Sequence, residues 1–306
     1  MMQYIFGPVS SRRLGMSLGV DLVPPKTCSY DCLYCQVGRT TDKCIRPASF
    51  HPVEAVCREL EKVLQKSTPD TVTLSGSGEP TLHKEIDRVI SFIKELTDIR
   101  IALLTNGSLL WDEEVRSRVL GADIIMPTLC TVFEETFRAV HRPHKDLNLS
   151  RIIEGIKGLR RDYSGLVSLE VVLLSGYNDS EKELETLRKV IEEISPDSIQ
   201  LNTVVRPPSD SRARSLDRVR LEQVKDSFGE KAEIVAHSPR NKSAGRADSR
   251  IAAVIEMARR RPVRAVDISS TLDIPVEETE RMMKGMVIKG HVRLKEHGGE
   301  KFYIAE

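Results

Sequence analysis

Apolar positions along the first two thirds of the chain follow two alternating rhythms. Val53, Val56, Leu60, Val63 and Leu64 recur behind Pro52 at the spacing of one helix face. Thr71 to Ser75 then reads as a strand, and the two patterns go on trading places. They predict strands at 16–23, 71–75, 99–104, 123–126, 167–174 and 198–205. Helices are predicted at 53–64, 83–96, 111–120, from 133 onward, 148–161 and 180–194. Six β/α units in this order predict an α/β chain folded as a partial (β/α)6 TIM-like barrel, with its site at the C-terminal ends of the strands.

The pattern changes after 206–215, a loop rich in Pro, Ser and Arg. Residues 206–250 hold eleven Lys and Arg against seven Asp and Glu, a local basic excess in a chain of net charge +1. Such a run is solvated surface, or closes over an anionic substrate at a barrel mouth. Ser238 to Ala247 reads as a linker. The expected domains are a barrel at 1–237, that linker at 238–247 and a small unit at 248–306. In the small unit, helices at 251–260, 265–272 and 276–289 and a hairpin at 291–304, turning at His297-Gly298-Gly299, predict a winged helix-turn-helix. Its third helix begins with Glu277, Glu278 and Glu280, which is unfavourable against phosphates. Docking to a protein or substrate is therefore favoured over DNA reading.

Composition narrows the setting. Six cysteines, three of them clustered, and an opening without a basic start and long apolar run lead us to expect a reducing, cytoplasmic location. No stretch approaches the roughly 20 apolar residues of a membrane span, so no membrane partner is expected.

The chemistry gathers at Cys28-Ser-Tyr-Asp-Cys32-Leu-Tyr-Cys35. Three thiols in eight residues read as a metal site, because disulfide geometry suits such spacing poorly. Zinc sites bring two separated pairs, or cysteines with histidines, and neither pattern completes here; a three-cysteine zinc site with an outside ligand stays open. Three thiolates on a four-iron cluster leave one iron without a protein ligand. Further candidates follow the predicted strands: the glycine-rich loop Gly76-Ser77-Gly78-Glu79, the turn at Asn106, and Cys130, a thiol at a strand end that reads as buried filler or as a reactive group. Gln200 and Asn202 share one strand face. Arg12 and Arg13 meet an anionic substrate or sit on the surface, the simpler reading. His141, Arg142 and His144 form a loop suited to an anion. Asp179 is expected to cap the 180–194 helix.

With Tyr34 before the last cysteine, the run resembles the Cys-x3-Cys-x-aromatic-Cys signature of the radical S-adenosylmethionine (AdoMet) superfamily. Ser10 to Gly15 and Gly19 to Pro24 resemble the opening of its wyosine-synthase-like Fe–S oxidoreductases. The resemblance implies that Cys28, Cys32 and Cys35 hold a 4Fe–4S cluster whose open iron binds S-adenosyl-L-methionine, which is cleaved reductively to a radical that abstracts hydrogen from a substrate. It implies cofactor-binding roles for Tyr34, Gly76, Gly78, Glu79, Asn106, Ser168, Glu170 and Asn202, with Asn178 a further ribose candidate. Cys130 stands where such relatives carry an acid and is the candidate catalytic residue. An electron donor of flavodoxin or ferredoxin type is implied; the substrate stays unidentified, with protein, peptide and RNA as the candidates. Wyosine-type tRNA modification, glycyl-radical activation and an Fe–S redox-sensing winged-helix regulator are the alternatives. Enzymes of the wyosine reaction carry three further cysteines upstream of the signature, whereas Cys44, Cys57 and Cys130 all lie downstream.

Overall fold

The computed structural model describes residues 4–235, 250–272 and 274–305. The expected linker at 238–247 lies outside the described residues.

A hairpin opens the chain, β1 (Ile5–Ser11) antiparallel to β2 (Gly15–Val20). The cysteine loop follows, with a short ladder between β3 (Thr27–Cys28) and β4 (Asp42–Lys43). Helices and strands then alternate: α1 (Val53–Leu64), β5 (Thr71–Leu74), α2 (Ile86–Leu96), β6 (Arg100–Thr105), α3 (Glu113–Val119), β7 (Ile124–Pro127), α4 (Glu134–His141), α5 (Leu149–Asp162), β8 (Leu166–Leu173), α6 (Glu181–Ile194), β9 (Ser198–Thr203), α7 (Arg218–Phe228) and β10 (Ala232–Ile234). The main sheet has eight strands in the order β1-β2-β5-β6-β7-β8-β9-β10, parallel from β2 onward.

The architecture is α/β with a mostly parallel central sheet, and it exceeds the six expected units at both ends. Residues 5–11 are an edge strand, where Pro8 is tolerated because one side of an edge need not donate. The basic segment after 206 contains helix α7, and β10 adds a parallel strand to β9.

Side chains of alternate parity divide the sheet between two environments. Leu18, Val20, Val72, Leu74, Ile101, Leu103, Leu169, Val171 and Leu201 enter the large apolar core with the buried faces of α1, α2, α5 and α6. Their neighbours on the other face include Ser17 and Thr73, whose hydroxyls meet at 2.6 Å, and the polar Glu170, Gln200 and Asn202. A parallel sheet covered on one face by helices and carrying polar groups on the other leaves that second face to a site.

At the C-terminal end, α8 (Arg250–Arg260), α9 (Ala265–Leu272) and α10 (Val276–Ile288) precede the antiparallel pair β11 (Val292–His297) and β12 (Glu300–Ala305). Gly298 and Gly299 turn this hairpin at φ of 57° and 75°, a conformation that glycine adopts without steric cost. Val254, Met257, Ile268, Met283, Met286, Val292 and Tyr303 form a separate apolar cluster, which Val9 of β1 joins. Val263 and Tyr303 exchange backbone hydrogen bonds of 3.0 and 2.7 Å. Among the described residues no helix is long and apolar enough to cross a membrane.

Candidate active site

A cavity of about 370 Å³ opens at the C-terminal ends of β5 to β9 and is floored by the cysteine loop. Cys28, Cys32, Cys35, Tyr34, Gly76, Gly78, Glu79, Asn106, Glu170 and Asn202 all line it. The loop is held from several sides. Asp31 and Leu33 donate backbone N–H groups to the carbonyls of His141 and Val140, at 2.9 and 2.8 Å, and the Ser209 hydroxyl donates to the Cys32 carbonyl at 2.8 Å. The buried Asp31 carboxylate accepts from the Thr40 N–H at 2.9 Å and pairs with Arg39 at 2.8 Å.

The glycine-rich loop serves this floor directly. A Cβ on Gly78 would stand 1.9 Å from the Thr27 carbonyl oxygen, and one on Gly76 would strike the Asp21 carboxylate. The Lys26 N–H donates to the Ser77 carbonyl and the Glu79 N–H to the Thr27 carbonyl, at 2.7 and 3.1 Å. These glycines therefore let the loop after β5 lie against the strand that carries Cys28. Glu79 follows the same logic. One carboxylate oxygen accepts from the Thr81 N–H and hydroxyl and the Thr105 hydroxyl, and the other from the Asn106 N–H at 2.7 Å. Burial pushes its carboxyl above the ordinary value, against the pull of these neutral donors. The Asn106 side chain then donates to the Ser29 hydroxyl at 2.8 Å and to the Cys28 Sγ at 3.5 Å.

Burial pushes the Cys28 thiol up to about 12, with the Glu79 charge adding to it. Cys32 is raised by burial and then by Cys28, Cys35 and Cys130. Buried thiols that raise one another are a poor place for negative charge without a cation among them, and the irons of a cluster supply that cation. Among the described residues no three His, Cys, Asp or Glu side chains converge as a single ion requires. The thiolates of a cluster ligate separate irons and stand farther apart than the ligands of one ion, and Cys28, Cys32 and Cys35 face one cavity, so the donor set fits a cluster.

On the opposite side of the sheet's polar face, Glu170 accepts from Arg13 at 2.6 Å, from the Thr128 hydroxyl at 3.1 Å and from Asn202 at 3.3 Å. Burial raises its carboxyl, but Arg13 and these hydrogen bonds outweigh burial and hold it below the ordinary value.

Residues 22–188 match the model of the Radical SAM superfamily. The chain belongs to the radical SAM superfamily. Membership implies reductive cleavage of S-adenosylmethionine by an Fe–S cluster. A protein of Brachyspira hyodysenteriae named GTPase Obg is 35% identical over 293 residues, covering 94% of this chain and 43% of that protein. A UPF0026 protein of Methanocaldococcus jannaschii is 39% identical over 212 residues, covering 68% of this chain and 66% of that protein. The chain thus spans less than two thirds of either relative's length. Among solved structures, TYW1 with a lysine–pyruvate adduct bound shares the fold at a TM-score of 0.54 and 17% identity, over 74% of this chain and 76% of that one.

Several expected positions lie elsewhere than in this cavity. Cys130 does not line the cavity: it is buried among Leu33, Val140, Val172 and Leu174, with the Val172 N–H donating to its Sγ at 3.3 Å. Burial holds that thiol up at about 12, far from a reactive thiolate. Ser168 is also outside the cavity lining, its hydroxyl paired with that of Ser198 at 2.7 Å. Asn178 is fully buried and bonds the Leu174 N–H and the Cys130 and Val172 carbonyls. Ser180, one residue beyond Asp179, caps α6. Arg12 and Arg13 line the cavity, not the outer surface.

His141 is the residue whose place differs most from expectation. It ends α4, and its buried Nδ1 lies 3.3 Å from the Cys32 Sγ and 3.4 Å from the Tyr34 hydroxyl. Burial holds its imidazole down to about 3, so it is neutral. The signal lay in its spacing: Phe137 and His141 are four apart on one helix face and both buried.

Proposed function

We propose that this chain is a radical AdoMet enzyme in which Cys28, Cys32 and Cys35 hold a 4Fe–4S cluster and S-adenosyl-L-methionine lies beside them in the cavity. When bound, the cluster supplies the low-potential electron that cleaves AdoMet to a 5′-deoxyadenosyl radical. The observation that supports this most is the convergence on one cavity of the cysteine loop, the glycine-rich loop after β5, Asn106 after β6, Glu170 on β8 and Asn202 on β9.

In this reading Glu79 ties the ends of β5 and β6 together and so sets Asn106 against Cys28 and Ser29. Its remaining lone pair is available to an ammonium group. Tyr34 and His141 pack beneath the loop and exclude water from Cys32. Glu170 and Asn202 present polar groups to the sugar and substrate side.

The resemblance of Ser10 to Gly15 and Gly19 to Pro24 supports a reading within the wyosine-synthase-like subgroup. The C-terminal unit is read as a winged helix that docks and encloses substrate. Arg260 and Arg261, at the end of α8, line the cavity, while Glu277 and Glu278 open α10 in exposed positions. That distribution favours closure over the site against DNA reading. A flavodoxin- or ferredoxin-type protein would deliver the electron.

The test is anaerobic: reconstitution with iron and sulfide, reduction, addition of AdoMet and detection of 5′-deoxyadenosine by mass spectrometry. Product that depends on all three cysteines supports the reading. A Cys32→Ala chain that retains its iron and still releases the nucleoside would sink it.

A further inference from the structure

Five arginines line the same cavity. Arg12 and Arg13 come from the β1–β2 turn, Arg206 from the segment after β9, and Arg260 and Arg261 from the end of α8. Among the described residues two carboxylates share the lining, and both are engaged: Glu170 by Arg13 at 2.6 Å, and Glu79 by Thr81, Thr105 and Asn106. Just outside the lining, Asp21 stands 3.6 Å from Arg260 and Asp267 stands 3.7 Å from Arg206, both beyond hydrogen-bond reach.

Arg206 is hard to explain as structure alone. It is 6% exposed, and its Nη1 donates to the Gln36 side chain at 3.2 Å. Its Nε and Nη2 are buried with no hydrogen-bond partner among the described residues. Asp267 does not fill that fork, being matched closely by Arg264, with Nη2 to Oδ1 at 3.1 Å. The planar guanidinium is buried where an anion takes two of its N–H groups at once, as carboxylates and phosphates do. Burial, then the charges of Arg206 and Arg13, hold Arg12 down to about 9; burial, then Arg264 and Arg13, hold Arg206 down to about 10. Among the described residues, the Arg206 fork faces the cavity with two N–H groups unanswered, and Arg12 is close enough to repel it.

We propose that the arginine wall seats the phosphoryl group of a phosphorylated small-molecule substrate, received by Arg206 and Arg12. A phosphoryl group offers three oxygens, enough to take the two free N–H groups of Arg206 and still reach Arg12, whereas a carboxylate offers two. The wall is recessed between the β1–β2 hairpin, the segment after β9 and α8, which suits a small molecule better than a polymer. That the bound anion is the substrate rests on the radical AdoMet reading above; that the wall binds phosphate does not.

The experiment is calorimetric titration of the full chain, without added iron and at low salt, with inorganic pyrophosphate as probe and citrate as the carboxylate comparison. Pyrophosphate is expected to bind once per chain, with Arg206→Gln and Arg12→Gln each weakening it at least tenfold. Arg206→Gln without ligand should melt no lower than the wild type, because it removes a buried cation with two unanswered N–H groups. A merely structural Arg206 would lower the melting temperature and leave the titration unchanged. No pyrophosphate binding, binding undiminished in both variants, or citrate binding as tightly as pyrophosphate would each overturn the proposal. The titration needs no cluster, so a chain that binds pyrophosphate in an Arg206-dependent way yet releases no 5′-deoxyadenosine supports the phosphate site while failing the radical reading.

Discussion

Glu79 and Glu170 both reach the cavity from the strand-end side of the sheet, and the chain answers them with different chemistry. Around Glu79 and beside the thiols the partners are neutral: Thr81, Thr105 and Asn106 on the carboxylate, His141 and Tyr34 next to Cys32. Glu170 adds an ion pair with Arg13 to its neutral partners Thr128 and Asn202, and further arginines line the cavity beside it. A neutral network is satisfied by geometry alone and is insensitive to salt. An ionic one depends on pH, on ionic strength and on whatever anion arrives. The carboxylate of Glu79 is thus answered by the protein itself, whereas Arg206 keeps two N–H groups unanswered among the described residues.

The largest effect expected is at the neutral wall. Replacing any one of Cys28, Cys32 or Cys35 with Ala should take 5′-deoxyadenosine to background and remove the cluster's visible absorbance. Pyrophosphate binding at the arginine wall should stay within twofold of the wild type. Loss of both together would show that the two walls are one cooperative unit and break the contrast.

Glu170→Gln strikes the ionic wall. It removes a charge-assisted pair with Arg13 and should destabilise the chain by about 2 kcal/mol at neutral pH, read by urea denaturation. The pH dependence follows from the lowered carboxyl. With a folded-state value below the ordinary 4.5, the group contributes stability that is fully present above pH 4.5 and is lost as pH falls through its depressed folded value. The wild type should therefore lose stability on acidification below pH 4.5 more steeply than Glu170→Gln, and the two curves should approach each other.

A subtler change belongs to the neutral wall. His141→Phe keeps the aromatic packing against Tyr30, Tyr34 and Phe137 but removes the nitrogen 3.3 Å from the Cys32 sulfur. Hydrogen bonds to cluster sulfurs raise the reduction potential. The variant should bind its cluster and show a more negative midpoint in an EPR-monitored redox titration. An unchanged midpoint would mean that His141 acts by packing alone.

These contrasts were unevenly legible in the amino-acid order. Helix α1 was predicted at 53–64 and lies at Val53–Leu64, because Pro52 marks its start and its apolar stripe is uninterrupted. The cysteine loop and the strand ends that face it followed from spacing and the strand rhythm. Strand β1 did not, since Pro8 argues against a strand until its edge position is known. Helix α7 buries only Leu221, Val224 and Phe228 amid charged residues, too sparse a stripe to stand out from the basic run. The arginine wall was invisible for a different reason. Arg12, Arg206 and Arg260 are far apart in the chain and meet only because the hairpin, the segment after β9 and α8 fold onto one cavity.

Cys130 shows how narrow the margin can be, and it carries the smallest effect. Thr128 lines the cavity, whereas Cys130, two residues on, turns into the cluster of Leu33, Val172 and Leu174. Sequence spacing alone does not separate the two positions once the strand has ended and its alternation no longer applies. Cys130→Ala removes a buried sulfur and the acceptor of the Val172 N–H, which should cost about 1 kcal/mol and leave 5′-deoxyadenosine formation within twofold of the wild type. The Tyr34 hydroxyl, 3.8 Å from this sulfur, is the route by which the change would reach the site. A large loss of product with stability intact would return Cys130 to the chemistry and place a reactive thiol behind the neutral wall, where this packing allows none.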